Sequence, residues 1–237
     1  MTIIEILKYG FFGPMPEKPA ELRLMVIFAL VTALAAYLLG SINWGVILSH
    51  AYGKDVRNYG SGNAGATNMM RTFGKRAGAK TFALDFLKAV IATFIGRIFL
   101  GLDGAFIAGF FCILGHAYPI YFRFKGGKGV VVITATCMFT DWRVFLIMFV
   151  IYAIVLAGYK MVSLASCLVA ALYPLVLYPF VGPRLGVIFA FLSSVFVIYL
   201  HRENIKRIYH HTESKVNFSR KKPNKTENIP TQDGENQ

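Results

Sequence analysis

The chain alternates between long apolar runs and short polar segments. Seven apolar runs are present, at residues 24–48, 82–100, 105–122, 129–139, 144–159, 161–181 and 185–200. A helix needs about 20 apolar residues to cross a hydrocarbon core about 30 Å thick, and several runs approach that length. The fourth run has only about a dozen residues, so it must tilt, draw on the flanking Lys128 and Asp141, or stop short of spanning. The pattern predicts an all-α integral membrane protein, a polytopic bundle of about seven transmembrane helices.

Composition supports a location in the bilayer. The 237-residue chain is 56% hydrophobic and 15% aromatic, which is more apolar than a soluble domain of this size. Its cysteines, Cys112, Cys137 and Cys167, fall inside apolar runs without CxxC spacing, so we expect them to pack helices. The carboxylates are scattered along the chain. We therefore predict no disulfide framework, no metal site and no cofactor.

The polar and apolar segments divide the chain into three parts. Residues 1–21 combine a short apolar patch with prolines and lack the cationic start and cleavage site of a signal peptide; they are predicted to lie on the membrane as an interfacial leader. Residues 22–215 form the predicted transmembrane domain. Residues 216–237 are basic, polar and proline-interrupted, and are predicted to be disordered.

Charge predicts the orientation. If every run crosses, the loops at 50–80 and 123–128, Lys160 and the tail from His201 share one face, which holds 18 of the 25 lysines and arginines. The positive-inside rule makes that face cytoplasmic, with the N-terminus outside and the C-terminus in the cytoplasm. A re-entrant fourth run would break this alternation. Orientation alone explains the cations, so they say nothing about substrate, but it does not require the glycine, asparagine and histidine in the same loops.

The first polar segment, residues 60–71, is rich in small residues whose backbone N–H groups can bind an anion. Arg71 is its strongest candidate because a guanidinium can hold two phosphate oxygens at once. An ordinary loop, with Ser61 or Thr67 capping the next helix, is the alternative. The candidate binding residues here are Ser61, Gly62, Asn63, Thr67, Asn68 and Arg71.

The second polar segment, residues 115–129, ends in a glycine-rich loop that contains Gly126, Gly127, Lys128 and Gly129. The loop precedes an apolar run whose helix dipole favours negative charge, so we predict phosphate binding here. It lacks the spacing of a Walker A loop, which argues against nucleotide binding by that route. Lys128 also fits a snorkelling lysine, and His116 fits a structural, hydrogen-bonded histidine at least as well as a catalytic one.

The third polar segment, residues 201–213, follows the last apolar run. On a continuing helix His201 and Asn204 share one face, and Glu203 shares another with Lys206 or Arg207. A charged helix terminus that stops the span is the alternative. Within the second run, Asp85 and Lys88 are spaced as an i, i+3 ion pair, which we expect near the membrane interface.

Three ordered signatures resemble those of the bacterial acyl-phosphate:glycerol-3-phosphate acyltransferases. They are Ser61-Gly62-Asn63 with Gly65, Thr67, Asn68 and Arg71; Gly115-His116 with Pro119 and the run Phe124 to Val130; and His201, Asn204, Ile205, Arg207 and Thr212-Glu213. The chain departs from the family pattern at Asn43, Val131, Val132 and His211. These departures affect local backbone detail more than the expected activity.

The resemblance implies a multi-pass enzyme of the bacterial inner membrane whose active site faces the cytoplasm, with residues 22–215 as its acyltransferase domain. It would transfer a fatty acyl group from acyl phosphate to the 1-hydroxyl of glycerol 3-phosphate, giving lysophosphatidate and phosphate for phospholipid biosynthesis. By resemblance, Ser61, Arg71, Lys128, His201 and Asn204 match substrate-contacting positions, Gly126, Gly127 and Gly129 match the glycine-rich loop, and we assign His116 and Glu203 supporting roles.

Acyl phosphate is already electrophilic, so the protein's main task is to hold two anionic groups close together. The base is left open between His201 and a substrate phosphate oxygen. The expected partners are acyl phosphate, glycerol 3-phosphate and membrane lipid, with no nucleic acid and no acyl-carrier protein or coenzyme A donor.

A transporter of phosphorylated metabolites is the alternative function, disfavoured because the polar segments lie on one face and no internal repeat is seen. A scaffold that binds anionic lipid would explain the charge but not the clustered polar residues.

Overall fold

The computed structural model describes residues 3–11 and 18–216, and within these ranges the regular structure is helical, as predicted. The α-helices are α1 (Ile3–Tyr9), α2 (Pro19–Ser41), α3 (Trp44–His50), α4 (Ala66–Phe73), α5 (Lys75–Ala117), α6 (Val130–Thr140), α7 (Trp142–Tyr159), α8 (Val162–Val181), α9 (Leu185–Leu200) and α10 (Arg202–Tyr209), with short 3₁₀ helices at Val56–Asn58 and Ile120–Phe122. The predicted disordered tail, apart from residue 216, and residues 1–2 and 12–17 of the predicted leader lie outside the described ranges.

Several of these helices are long and apolar enough to cross a membrane. In the described part of the chain four segments qualify by length and composition: Pro19–His50, Lys75–Phe122, Trp142–Tyr159 and Val162–Val181. Helices α9 and α10, bent by 56° at His201, qualify together as a fifth. Helix α6 has only 11 residues, in agreement with the short fourth apolar run.

Helix α5 contains two of the apolar runs. Its 43 residues would extend about 65 Å as a straight helix, about twice the hydrocarbon thickness. The helical dihedral angles break at Leu100 and at Gly101, which has a φ of +61°. A Cβ atom on Gly96 would collide with the carbonyl oxygen of Gly104, although the two residues would be about 12 Å apart on a continuous helix. The chain therefore folds back at Gly101 into two packed halves.

Small residues let α2 lie directly against the second half of α5. A Cβ atom on Gly40 would collide with the carbonyl oxygen of Cys112, and one on Gly115 with that of Tyr37. Close approach of this kind is common between membrane helices, because association there depends on van der Waals packing. It places the carboxyl end of α2 beside His116, at the end of the bundle that carries the polar segments.

Helix α1 packs at the opposite end, against the bend in α5. The backbone N–H of Phe11 donates to the carbonyl of Ile98 at 2.9 Å. The Arg97 guanidinium donates to the carbonyls of Leu7 and Phe139, each at 2.9 Å. Arg97 thus joins α1, α5 and the last turn of α6. The position of this leader relative to a bilayer stays a prediction.

Candidate active site

The three polar segments meet around one cavity of about 690 Å³. The predicted residues that line it are Ser61, Asn63, Thr67, Asn68, Arg71, His116, Lys128, Gly129, His201 and Asn204. The rest of the wall is largely apolar and comes from within the spans, with Ile133, Met148, Phe149, Ala170 and Val197 among its members. A cavity that is polar at the helix ends and apolar between the helices suits an amphiphilic ligand.

Arg71 is a cation at this cavity that has no partner among the described residues. It lies one turn beyond Thr67 on α4, and its guanidinium has no hydrogen bond or ion pair within the described residues. The first intrahelical bonds of α4 run from Asn68 and Met69 to the carbonyl of Gly65, so the N–H groups of the two preceding residues are unbonded in the helix. The Ser61 hydroxyl likewise has no partner in the described part of the chain. These groups are available to bind an anion.

Asn68 has a different role from the phosphate binding that we predicted. Its side-chain Oδ1 accepts from the Ser61 N–H at 3.0 Å, and its Nδ2 donates to the carbonyls of Val56 and Tyr59 at 3.1 and 2.9 Å. Only 1% of the Asn68 surface is exposed, and its side-chain hydrogen bonds hold the loop before α4 in place. Gly62 does not line the cavity; it turns that loop with a φ of +70°.

The glycine-rich loop also differs from prediction. The N–H groups of Gly126 and Gly127 donate to the carbonyls of Ala117 and His116 at 3.1 and 3.0 Å, so neither is free for phosphate, and neither residue lines the cavity. Glycine is required at both positions because a Cβ atom at either one would collide with His116. These two residues pack the loop against α5 and do not form an anion cradle.

The part of this loop with N–H groups free to bind an anion is instead the start of α6. Gly129 precedes the helix with a φ of +75°, and the first intrahelical bond runs from the Ile133 N–H to the Gly129 carbonyl at 2.9 Å. The N–H groups of residues 130–132 are therefore unbonded within the helix. Val130 and Val131 line the cavity, so the unbonded end of α6 lies beside Lys128.

A relay of hydrogen bonds holds Lys128 at the cavity. Its Nζ donates to Asn204 Oδ1, and Asn204 Nδ2 donates to Glu213 Oε1 at 2.7 Å. The same carboxylate accepts from Ser163 Oγ at 2.7 Å and from Arg207 Nε at 2.7 Å. Glu213 is thus the common acceptor that ties α8 and α10 to the lysine.

Burial and the charges of the relay together set the protonation states of Lys128 and Glu213. Burial lowers the pKa of Lys128 to about 8, and nearby Arg207 adds to this while Glu213 opposes it. Burial raises the pKa of Glu213, but hydrogen bonds from Ser163, Asn204 and Arg207 outweigh it, and the net pKa is below the ordinary value. Glu213 is therefore ionised at neutral pH, whereas Lys128 loses its charge in mildly alkaline solution.

This pKa predicts an alkaline limb in the activity. Above a pH of about 8 the free enzyme should lose the Lys128 charge, and kcat/KM should fall, because kcat/KM reports groups of the free enzyme. Bound phosphate favours the charged form, so the limb in kcat should lie at higher pH. We expect Lys128→Arg, which stays charged, to abolish the limb. A wild-type kcat/KM that stays flat through this range, or an unchanged limb in Lys128→Arg, would contradict the assignment.

His201 lies at the bend between α9 and α10. Its Nδ1 is 2.7 Å from the carbonyl oxygen of Val197, and since a carbonyl only accepts, Nδ1 carries the hydrogen. The lone pair is then on Nε2, which makes that atom the one able to take a proton. Glu203, which we assigned a supporting role, lies on the exposed face of α10, 3.4 Å from Lys206, and does not line the cavity.

His116 belongs to a buried cluster with Asp85 and Lys88. The predicted ion pair is present, with Lys88 Nζ 2.8 Å from Asp85 Oδ1. It is buried inside the bundle, with 1% of Asp85 and 4% of Lys88 exposed, and not at the interface as we expected. The His116 carbonyl accepts the Gly127 N–H at 3.0 Å, so His116 supports the glycine-rich loop.

Sequence reasoning missed two connections. Glu213 was quoted only as part of the third signature and otherwise counted among scattered carboxylates. Arg57 was not considered, yet its Nη1 donates to the carbonyls of Phe122 and Lys125 at 3.0 and 3.1 Å, and Asp55 holds the guanidinium at 2.6 Å. Arg57 therefore joins the chain just before the first polar segment to the second polar segment. Its two carbonyl partners lie more than 60 residues away, where no spacing rule applies.

Comparison with known proteins agrees with this geometry. Residues 30–211 match the family model described as glycerol-3-phosphate acyltransferase. The chain belongs to this family. The matched range contains every cavity-lining residue that we predicted.

The chain aligns with relatives named glycerol-3-phosphate acyltransferase over nearly their whole length. The one from Jannaschia sp. (strain CCS1) is 42% identical over 187 residues, which is 78% of this chain and 92% of the relative. The one from Bacillus subtilis (strain 168) is 41% identical over 194 residues, covering 81% and 100%. Among solved structures, PlsY, an integral membrane glycerol 3-phosphate acyltransferase in its glycerol 3-phosphate form, matches with a TM-score of 0.76 and 37% identity over 80% of this chain and 96% of PlsY. This acyltransferase is accordingly a multi-pass membrane protein.

Proposed function

We propose that this acyltransferase moves a fatty acyl group from acyl phosphate to the 1-hydroxyl of glycerol 3-phosphate. The products are lysophosphatidate, from which phospholipid is made, and inorganic phosphate. The observation that carries the proposal is a cavity in which Lys128, the start of α6 and Arg71, which has no partner among the described residues, adjoin an apolar pocket. Both substrates carry a phosphate, and the acyl donor also carries a long apolar chain.

The cavity offers two cationic positions for these phosphates. Arg71, with the unbonded N–H groups of α4, forms one, and Lys128, with those of α6, forms the other. Acyl phosphate has a good leaving group, so alignment and charge stabilisation supply most of the catalysis, and a protein nucleophile is unnecessary. The Ser61 hydroxyl and the second N–H of Asn204 Nδ2 orient substrate oxygens.

Two groups can accept the proton of the attacking hydroxyl. His201 lines the cavity and has its lone pair on Nε2, and a substrate phosphate oxygen is the other candidate. A pH profile separates them: His201→Gln with most of its activity and an unchanged profile excludes the histidine. Loss of activity together with a lost acidic limb supports it.

We also propose seven crossings with the cavity facing the cytoplasm of a bacterial inner membrane. The crossing segments are α2 with α3, the two halves of α5, then α6, α7, α8 and α9. Helix α6 rises only about 16 Å, so its flanking loops must enter the membrane. The excess of lysine and arginine around the polar segments supports this orientation.

Cysteine labelling tests the topology. In a variant without native cysteines, Lys125→Cys and Lys160→Cys should react only with reagent on the cytoplasmic side, and Pro183→Cys only with reagent outside, since all three positions are exposed. Labelling of Lys125→Cys and Pro183→Cys from the same side would overturn the arrangement.

Proteoliposomes distinguish this enzyme from a transporter of phosphorylated metabolites. With radiolabelled glycerol 3-phosphate, we expect label in the lipid extract only when palmitoyl phosphate is present. A transporter would instead deliver water-soluble label to the lumen without an acyl donor. Lumenal label with no lipid product would reject the proposal.

A further inference from the structure

Asp85 is a buried carboxylate in the wall of the substrate cavity. It lies on the first half of α5, where 1% of its surface is exposed, and it lines the cavity beside His116. Neither of its oxygens accepts a hydrogen bond from the described residues. Buried polar atoms in folded proteins nearly always have a partner, so this pair of acceptors needs an explanation.

Lys88 neutralises Asp85 without donating to it. Its Nζ lies 2.8 Å from Asp85 Oδ1, but its hydrogen bonds run to the carbonyls of Gly40 and Ile42 at 2.9 and 2.6 Å and to His116 Nδ1 at 3.1 Å. An ammonium has three N–H donors, and with the His116 hydrogen on Nε2 these three contacts use all of them. Asp85 is left with its charge balanced and its acceptor sites empty.

These properties select the chemistry of a ligand. Lys88 already supplies the cation, and no group of three metal-ligating side chains occurs in the described residues. A phosphate would bring acceptors to an acceptor. What completes the site is a neutral hydrogen-bond donor, and a hydroxyl is the donor that the acyl acceptor carries.

The two hydroxyls of glycerol 3-phosphate are not equivalent in this respect. The 1-hydroxyl must face the acyl carbonyl and give its proton to the base. The phosphate occupies one of the two cationic positions. The 2-hydroxyl is then the remaining donor that a fixed acceptor in the wall can hold.

We propose that Asp85 accepts a hydrogen bond from the 2-hydroxyl of glycerol 3-phosphate and thereby selects acceptors that carry a hydroxyl next to the reacting carbon. This inference rests on the proposed function. An analogue without the 2-hydroxyl would leave the buried carboxylate with no hydrogen-bond donor, and this costs binding free energy. The enzyme should therefore discriminate strongly against that analogue. An acceptor with a carbonyl at the second carbon is rejected for the same reason.

The test compares two acceptors with palmitoyl phosphate as donor. One is glycerol 3-phosphate, and the other is 3-hydroxypropyl phosphate, which keeps the reacting hydroxyl and the phosphate but has no 2-hydroxyl. The wild-type enzyme should prefer glycerol 3-phosphate by about tenfold to a hundredfold in kcat/KM, the range expected for a hydrogen bond to a charged group. Equal kcat/KM values for the two acceptors would overturn the inference. No turnover with either would reject the proposed function instead.

Substitution then locates the preference. In Asp85→Asn the kcat/KM for glycerol 3-phosphate should fall about tenfold or more, while that for the deoxy acceptor changes little. A double variant, Asp85→Ala with Lys88→Met, removes both charges and should show the same collapse of selectivity; it decides the matter if the single variant does not fold. A purely structural role would lower both acceptors by one factor, and that outcome would overturn the assignment.

Asp103 provides a matched control. It lies on the second half of the same helix, its Oδ1 accepts the Gly186 N–H at 2.7 Å, and it does not line the cavity. Asp103→Asn should leave the ratio of the two kcat/KM values at its wild-type level. A ratio that changes as much as in Asp85→Asn would show that the preference does not come from Asp85.

Discussion

Replacing Arg71 by alanine should lower kcat/KM for glycerol 3-phosphate and acyl phosphate about a hundredfold or more. The guanidinium lines the cavity and has no partner among the described residues, so we expect it to bind a charged group of the substrate. Loss of one such group from a preorganised site costs roughly 3 kcal/mol of transition-state stabilisation. Initial rates with each substrate varied in turn give the value. Arg71→Lys should recover only part of it, since an ammonium cannot bind two oxygens in fixed geometry.

Arg76 is the matched control for this loss. It is an exposed cation five residues further along the chain and does not line the cavity. Arg76→Ala should stay within about twofold of wild type, as surface substitutions usually do. If Arg76→Ala matched Arg71→Ala, or if Arg71→Ala turned over normally, the guanidinium would not be a phosphate ligand.

Replacing Lys128 by alanine should have an effect of similar size. The substitution removes a cation beside the start of α6 and leaves Asn204 Oδ1 without the donor it accepts from. The expected loss is again about a hundredfold in kcat/KM. Because a charge acting on the transition state is removed, kcat should fall and not KM alone.

Lys125 is the comparison for Lys128. It lies in the same loop but is exposed and outside the cavity, so Lys125→Ala keeps the loop and changes only a surface charge. Equal effects of the two variants would show that the loop's overall charge matters and not the position of Lys128. A double variant of Arg71 and Lys128 that loses no more than either single variant would show that both act on one phosphate.

The apolar pattern was sufficient to predict the helical class and the short α6, because segment length and composition decide whether a helix can cross. It also indicated which loops meet, since the polar residues that membrane orientation does not require are concentrated in the three polar segments. Ser61, Arg71, Lys128, His201 and Asn204 all reach the one cavity. Their individual roles stay predictions.

Prediction from sequence was wrong about which groups contact one another. Gly126 and Gly127 resemble an anion loop by composition, but their N–H groups bond to α5. Helical spacing drew attention to Glu203, whereas Glu213 returns to the site only after α10 has ended at Tyr209. Contacts of this kind depend on how separate segments pack, which no local pattern contains.

The most direct test of the account is the stoichiometry of a single reaction by the purified protein. With palmitoyl phosphate and glycerol 3-phosphate, the account predicts one inorganic phosphate released for each lysophosphatidate formed, and no product when palmitoyl coenzyme A replaces the acyl phosphate. Lysophosphatidate formed from the coenzyme A ester, or phosphate released without it, would contradict acyl transfer from acyl phosphate.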